Sequence, residues 1–599
     1  MKKKIFVLPL LAIVCSTLAG CSEKKESSIK LFYAYSNENL LSDLDYFDIN
    51  TDEDQYLKFK DRDYTLRMHT AKGETEAIQL MIHTTEYIDE FDFELPDLVS
   101  EEGNIISHNN LEVFAEWYQF TTGTNEVSSY KGYYPDAIVP LENYKWRRMN
   151  YIQENRNQGL YFKLSTTYET APGFYKGNGK LTLDKKKYDI PFEVTVYDIE
   201  MPEEVHARTA YGLWYDQLVY GEKTNSLEMQ EAYYDFMVER RISPLEMPPA
   251  KTNTPEVFAE SVYERIANNP KITTTRIPIL TGSFGDGTIV RDYLQALINK
   301  NLALRAAGDN TTDLFKKVIF YIDDEPTAQR ADLMKMHDKF IYETKLELIG
   351  QLSAYPDLQN SFLKINNIVT TPYYKDYVAT EELGGVQTWC PQYIEFQLPS
   401  QRQAYRERQA SADRSCGEEV WWYGCMGPIS PYPSYHLDAN LLNAQIISYM
   451  QFDYHIDGRI YWSVNYYSKL VGEKQINSRD LWYDPISYLR TAGDGYMLYP
   501  GVEFGVFGPI STLRFETVLA GNEDAEYLYM IEQHIDDYNE AKGTNLDVRV
   551  LLHDRFARLY KNMIPIDDHD VFDNVRLEIV QLLEDMNHNR DVAIQSLIG

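Results

Sequence analysis

Hydrophobic and polar positions along the chain change period twice. From residue 31 to 203, apolar and polar residues alternate in short runs. Tyr64–His69, Ala77–Ile82, Gly159–Leu164, Lys180–Leu183 and Ile190–Tyr197 are the clearest. Turn signals such as Lys72-Gly73 and Gly177-Asn178-Gly179 separate them. Many period-two runs without a long helical stretch predict a β-sandwich. Pro202 marks the linker that ends it. Between 204 and 521, short β-like runs alternate with long amphipathic segments. Predicted strands are Thr209–Trp214, Ile242–Leu245, Arg276–Leu280, Val318–Asp323, Leu348–Ala354, Gly385–Trp389, Val420–Gly424 and Arg459–Ser463. Predicted helices between them include Ser226–Arg240, Val290–Arg305, Thr327–Thr344 and Leu437–Phe452, with Pro326 suited to a first turn. Such alternation predicts a (β/α)8 barrel, followed here by a short β extension. From 522 to 599 the pattern is helical. Asn522-Glu523-Asp524 offers a cap and acidic first turn for Ala525–Tyr538, and two helices follow near Val548–Met563 and Val571–Met586.

The first residues predict an address. Lys2, Lys3 and Lys4 precede an apolar run, Ile5–Val14, that is too short to span a bilayer. Leu18-Ala19-Gly20-Cys21 resembles a bacterial lipobox. The expectation is a signal peptide over 1–20, lipidation of Cys21, and a polar tether over 21–30. The acyl chains would then be the membrane partner, and the place would be the bacterial cell envelope, periplasmic or surface-exposed.

Charge narrows the partners. Asp and Glu total 91 against 58 Lys and Arg, a formal net charge of -33. Such a field repels nucleic acid and other polyanions. The 48 tyrosines and 8 tryptophans supply flat apolar faces of the kind that stack on sugars, although most aromatics are core. Beyond the signal, Cys390, Cys416 and Cys425 are too few and too odd in number for a disulfide framework. Pairing of Cys416 with Cys425 and free thiols both remain open. Zinc spacing, a phosphate loop and a dinucleotide fingerprint are all missing, so neither a metal nor an organic cofactor is expected.

The sharpest chemical signal is Phe320-Tyr321-Ile322-Asp323-Asp324-Glu325-Pro326, an apolar strand that runs into three acids before a proline opens a helix. In a β/α barrel this is the face where active sites gather. Adjacent carboxylates repel, which favours keeping one protonated, and a protonated carboxyl can donate to a leaving oxygen. An acidic cap on a surface turn is the plainer reading. Trp214, Trp389, Tyr423 and Trp462 end neighbouring predicted strands, and are candidates for an aromatic pocket wall. Tyr432, in a proline- and tyrosine-rich loop, is a candidate for its rim, and Asn465 for reading a hydroxyl. Asp216 and Glu246 are weaker candidates. Arg514 and Glu516 share a face if their segment is a strand, which suggests a structural pair.

Several segments together resemble one known family. They are Ala71–Glu76, Tyr134–Pro140, Ala171–Gly177, Tyr321–Pro326, Trp389–Pro391, Trp422–Cys425, Gly493–Gly495, Tyr499–Gly501, Ser511–Glu516 and Gly521–Leu528, in that order. The set resembles the domain-of-unknown-function 4091 family, which includes glycoside hydrolase family 123. The resemblance implies a β-sandwich followed by a (β/α)8 barrel. It also implies a retaining β-N-acetylgalactosaminidase-like exo-hexosaminidase, acting on glycans that end in an N-acetylhexosamine. Asp324 would orient the substrate's 2-acetamido group, which itself attacks the anomeric carbon, and Glu325 would serve as acid and then base, one of the exceptions to the scheme with a protein nucleophile. Asp323 departs from the pattern, which more often has an apolar or aromatic residue there. Two other readings compete: a catalytically silent glycan-binding lipoprotein, and a glycosidase of different specificity on the same barrel.

Overall fold

The computed structural model describes residues 28–122, 130–249, 254–380, 382–411, 417–471, 474–476, 480–487 and 491–598. The segments expected to be signal peptide and, for the most part, tether, with Cys21 and Cys416, lie outside them.

The period-two region forms strands β1 (Ile29–Tyr35), β2 (Leu66–Lys72), β3 (Thr75–Thr84), β4 (Phe91–Glu94), β5 (Leu98–Ser100), β6 (Ile105–Ile106), β7 (Leu111–Thr121), β8 (Gly132–Pro140), β9 (Arg156–Ser165), β10 (Gly173–Leu183) and β11 (Lys186–Glu200). One sheet runs β1-β3-β9-β7-β8; the other runs β2-β11-β10-β5-β6, with β4 added on β10. Phe162 of the first sheet lies 4.7 Å from Phe93 and 5.5 Å from Phe192 of the second, edge to face. The alternating apolar positions of both sheets therefore meet in one core.

The second region supplies β12 (Thr209–Tyr211), β13 (Thr275–Arg276), β14 (Val318–Asp323), β15 (Asn367–Val369), β16 (Thr388–Trp389), β17 (Glu419–Gly424) and β18 (Gly458–Tyr461). They form a nearly closed parallel sheet in the order β12-β18-β17-β16-β15-β14-β13. Residues 243–245 bridge its two edges: Tyr211 N–H donates to the Ser243 carbonyl (2.9 Å), Leu245 N–H to that of Tyr211 (2.8 Å), and Arg276 N–H to that of Leu245 (2.8 Å). Inside lies a small apolar plug of Ala210, Leu245, Ile319, Ile368, Trp421 and Ile460. Helices Leu227–Glu239, Thr288–Ala306, Ala331–Leu348 and Leu442–Asp453 follow the predicted segments, the first capped by Ser226. Among the described residues no helix is long and apolar enough to cross a membrane.

Three expectations need correction. Leu348–Ala354 is not a strand; the Ala331–Leu348 helix runs into a 3-10 turn at Ile349–Leu352. Ile341, Leu348 and Leu352 are buried at helical spacing, so their face continues the helix. The strand is β15, nineteen residues or so downstream by its start. The C-terminal helix also begins earlier than expected, spanning Leu513–Lys542, with the Thr512 hydroxyl accepting from Phe515 N–H (3.1 Å). Asn522, Glu523 and Asp524 are buried in its body. Gly521 marks a close crossing, not a start: a Cβ there would sit 2.9 Å from the Gln445 carbonyl of the neighbouring helix. The predicted helix near Val548–Met563 is broken into Val548–Leu551 and His553–Leu559, and a last helix spans His569–Ile598.

Candidate active site

Strand β14 brings the acids to the sheet's C-terminal edge. Its pairing with β15 slips between Phe320 and Asp323, a bulge that breaks the in–out alternation. Tyr321 faces the plug, whereas Asp323 turns towards the helices and is 1% exposed. Its carboxylate accepts from His337 Nδ1 (3.0 Å) and Asn367 Nδ2 (3.0 Å). The third acid is thus withdrawn from the other two and pinned to the Ala331–Leu348 helix. Ile322 N–H donates to Asn367 Oδ1 (3.0 Å), so this side chain also fills the slipped register.

Asp324 and Glu325 remain exposed at the sheet mouth. Glu325 has φ of 41°, a left-handed conformation that costs a side-chain-bearing residue free energy and that clusters at functional sites. Thr370, just past β15, holds the turn: its hydroxyl accepts from Glu325 N–H (2.7 Å) and donates to Asp324 Oδ1 (2.8 Å). The Tyr321 hydroxyl donates to the same Oδ1 (2.8 Å). The Tyr423 hydroxyl donates to Glu325 Oε1 at 2.5 Å. Burial first, and then Glu325, push Tyr423 well above the usual phenol range, so it stays a donor. Both carboxylates thus keep one oxygen for a ligand. Beneath them Arg276 pairs with Glu246. Burial pulls its guanidinium down from its ordinary value, against the pull of Tyr321 and Asp324.

The aromatic candidates divide. Tyr423 pairs in register with Ile460, faces inward and meets the acids. Trp462 follows on the next strand, half-buried, its indole N–H donating to Asp494 Oδ1 (3.0 Å). Gly495, at φ of 78°, lies under that ring; a Cβ there would come within 2.1 Å of it. Trp214 follows on the strand after, and its indole N–H donates to the Trp462 carbonyl (2.9 Å). Trp389 is not a pocket residue. It is opposite Val420 in register, on the outward face, fully buried, with its indole N–H on Glu418 Oε2 (2.9 Å). The inward position beside it belongs to Cys390. Asn465 is likewise no hydroxyl reader: fully buried, it accepts from Trp214 N–H and donates to the Trp214 carbonyl, both at 2.9 Å, clasping that segment. Tyr432 is partly buried and donates to Gln397 Oε1 (2.9 Å). Asp216 is exposed.

Sequence reasoning missed Thr370, Tyr321 and Asn367 as site residues. The run Ile368-Val369-Thr370-Thr371-Pro372, β-branched and closed by proline, was the available signal. Burial raises the Cys390 thiol and holds that of Cys425 up at about 12, which disfavours the nucleophilic thiolate at both. Cys425 is free. Among the described residues no cluster of His, Cys, Asp and Glu is placed to hold a metal ion.

A strand-end acid pair, gripped by hydroxyls and flanked by tryptophans, thus stands at the mouth of the parallel sheet. Residues 310–531 match the sequence model of the glycoside hydrolase 123 catalytic domain. The solved structure of a family 123 glycoside hydrolase from Clostridium perfringens, described for its hydrolysis of glycolipid glycans, is similar across 95% of this chain and 99% of its own. The TM-score is 0.59 at 13% identity, a likeness of fold. Bacteroides uniformis β-glucuronidase 2 (9% identity, 76% of this chain and 48% of that one) reaches a TM-score of 0.25, too low to carry an argument. No curated protein matches the chain in sequence.

Proposed function

We propose that this chain is a retaining exo-β-N-acetylhexosaminidase, β-N-acetylgalactosaminidase-like, whose substrate supplies its own nucleophile. The observation that carries the reading is the consecutive Asp324 and Glu325, each with one oxygen tied to a protein hydroxyl and the other free. In the first step, the free oxygen of Asp324 accepts the acetamido N–H, which makes the carbonyl oxygen more nucleophilic. That oxygen bonds to the anomeric carbon as the glycosidic bond breaks, and Glu325 gives its proton to the leaving oxygen. Glu325 then takes a proton from water, whose oxygen opens the oxazoline. Two displacements retain the configuration. Tyr423 supports Glu325 by stabilising its carboxylate form with a short hydrogen bond. Trp462 and Trp214 supply sugar-facing walls. The same reading takes the nearly closed sheet with its bridging segment as a (β/α)8 barrel, and the two facing N-terminal sheets as a β-sandwich. The lipobox supports a chain exported and lipid-anchored at Cys21 in the bacterial envelope.

The test is nitrophenol release from 4-nitrophenyl N-acetyl-β-galactosaminide by wild type and Glu325→Gln. Turnover that falls by about two orders of magnitude or more in the variant is expected, the lower range of what a general acid supplies. An unaffected Glu325→Gln enzyme would remove the assignment.

A further inference from the structure

A cavity of about 590 Å³ lies away from the acid pair, between the N-terminal sheets and the chain that follows β18. Trp117, Tyr220, Trp482, Tyr483 and Phe504 line it. Three of these rings form a rigid base: Trp117 stands edge-on to Trp482 at 5.5 Å, Phe504 lies 4.7 Å from Trp482, and Trp117 N–H donates to the Trp482 carbonyl (2.8 Å). Tyr483 sits on that base, edge-on to Trp117 at 5.4 Å, yet is 68% exposed. A large aromatic ring is therefore held in place with its surface in water. Packing alone gives no reason for that exposure.

The cavity is joined to the active-site mouth by one short segment. Trp214 stands at the mouth, and Tyr220 and Gly221, six and seven residues on, line the cavity. The intervening residues are helical, so the two places are separated by about 10 Å along that segment. The segment is fixed to the chain after β18. Ser468 donates to Gln217 Oε1 (2.9 Å), and the Glu222 carboxylate accepts from Tyr233 O–H (2.7 Å) and from Gly501 N–H (2.8 Å), the turn beside Phe504. An oligosaccharide that extended from the mouth past Trp214 would approach this groove, whereas a single ring at the acids would not.

The rim charges decide what kind of sugar fits. Arg147 and Lys223 are matched by Asp480 and Glu503, with Arg147 3.3 Å from Glu503. Among the described residues that line it there is no surplus cation for an acidic sugar, in a chain of net charge -33. Volume, aromatic lining and a place between the N-terminal sheets and the chain after β18 are what a small-ligand site has.

We propose that this groove is a second glycan subsite, which takes neutral sugars of the substrate's reducing-end portion, with Tyr483 as its stacking platform. The proposal rests on the hydrolase reading above, and its test separates the two. Wild type and Tyr483→Ala would be compared on the nitrophenyl glycoside and on a neutral oligosaccharide ending in β-N-acetylgalactosamine with three or more further sugars. Loss of one aromatic platform is expected to lower kcat/KM on the oligosaccharide about fivefold, through KM, with the nitrophenyl glycoside unchanged. In parallel, calorimetry would follow oligosaccharide binding to Glu325→Gln, with and without Tyr483→Ala, which needs no turnover. Weaker binding in the double variant supports the groove even if hydrolysis fails. Equal binding by both, no binding by either, or equal loss on both substrates would overturn it. Tighter binding of a sialylated oligosaccharide would overturn the neutral assignment.

Discussion

Two pairs of neighbouring acids in this chain have opposite fates. Asp324-Glu325 ends a strand; Glu523-Asp524 lies inside the helix Leu513–Lys542. At the sheet mouth the acids are exposed and held by hydroxyls, with no cation among the described residues bonded to either. In the helix they are buried among guanidinium groups. Asp524 accepts from Arg576 Nε (2.6 Å), and Arg576 also reaches Glu74 (3.0 Å) and Glu76 (2.8 Å). Nearby, Arg514 spends all five donors: two on Asp136, and three on the carbonyls of Tyr435, Gly493 and Tyr496. Glu516 holds Lys163 (2.8 Å) and Arg240 (2.7 Å). The acids and Arg514 of this network belong to the segments Ala71–Glu76, Tyr134–Pro140, Ser511–Glu516 and Gly521–Leu528, which are among those that resemble the glycoside hydrolase 123 family. Four of the ten resembling segments therefore meet in a buried joint between the N-terminal sheets and the helix. Adjacency of carboxylates does not mark a site; what surrounds them does.

The contrast predicts a clean division of effects. Arg514→Met leaves Asp136 buried without its partner and is expected to cost about 3–5 kcal/mol in urea unfolding, with kcat of the folded enzyme unchanged. Adding Asp136→Leu should recover a large part, since an apolar pair replaces the buried ions. A large fall in kcat from Arg514→Met under fully folded conditions would blur the division. Next in size is an acid-side effect. Burial alone would raise Glu516, but Arg240 and Lys163 hold it down at about 2, from an ordinary 4.5. A lowered carboxyl contributes stability that is present above pH 4.5 and drains as pH falls towards 2, up to about 3 kcal/mol. Wild type and Glu516→Gln should therefore differ most in urea midpoint near pH 6 and converge as the pH is lowered through 3.5. A constant gap would refute the linkage. Smallest is Tyr423→Phe at the mouth: about a tenfold loss in kcat with little change in urea midpoint, for a hydrogen bond to a charged group. If stability fell and kcat did not, Tyr423 would be packing rather than positioning.

The site was legible to the extent that strand ends were. Val318–Asp323 and Val420–Gly424 were predicted within a residue of β14 and β17, so Asp324, Glu325 and Tyr423 fell at the mouth. Thr370 was invisible because its strand had been placed at Leu348–Ala354, where a helical face imitates an apolar run. Trp389 was misread because a strand's position says nothing of which neighbour faces inward; Cys390 does. Asp323 could not be assigned a direction, since the register slip that turns it depends on Asn367, distant in sequence. Arg514 and Glu516 were read on a strand, because the Thr512 cap was not seen as a helix start.

The bridging segment at 243–245 has a consequence for anyone who would cut this chain down. The stretch that matches the catalytic-domain model starts at residue 310, yet β12, the bridge and β13 all lie before it. An excised 310–531 fragment would keep both acids and lose β12, β13 and the bridge between them, three staves of the nearly closed cask around them. It would bare two raw sheet edges, a template for aggregation. A recognisable unit of sequence is here smaller than the unit that folds, and a workable truncation must begin upstream of Thr209.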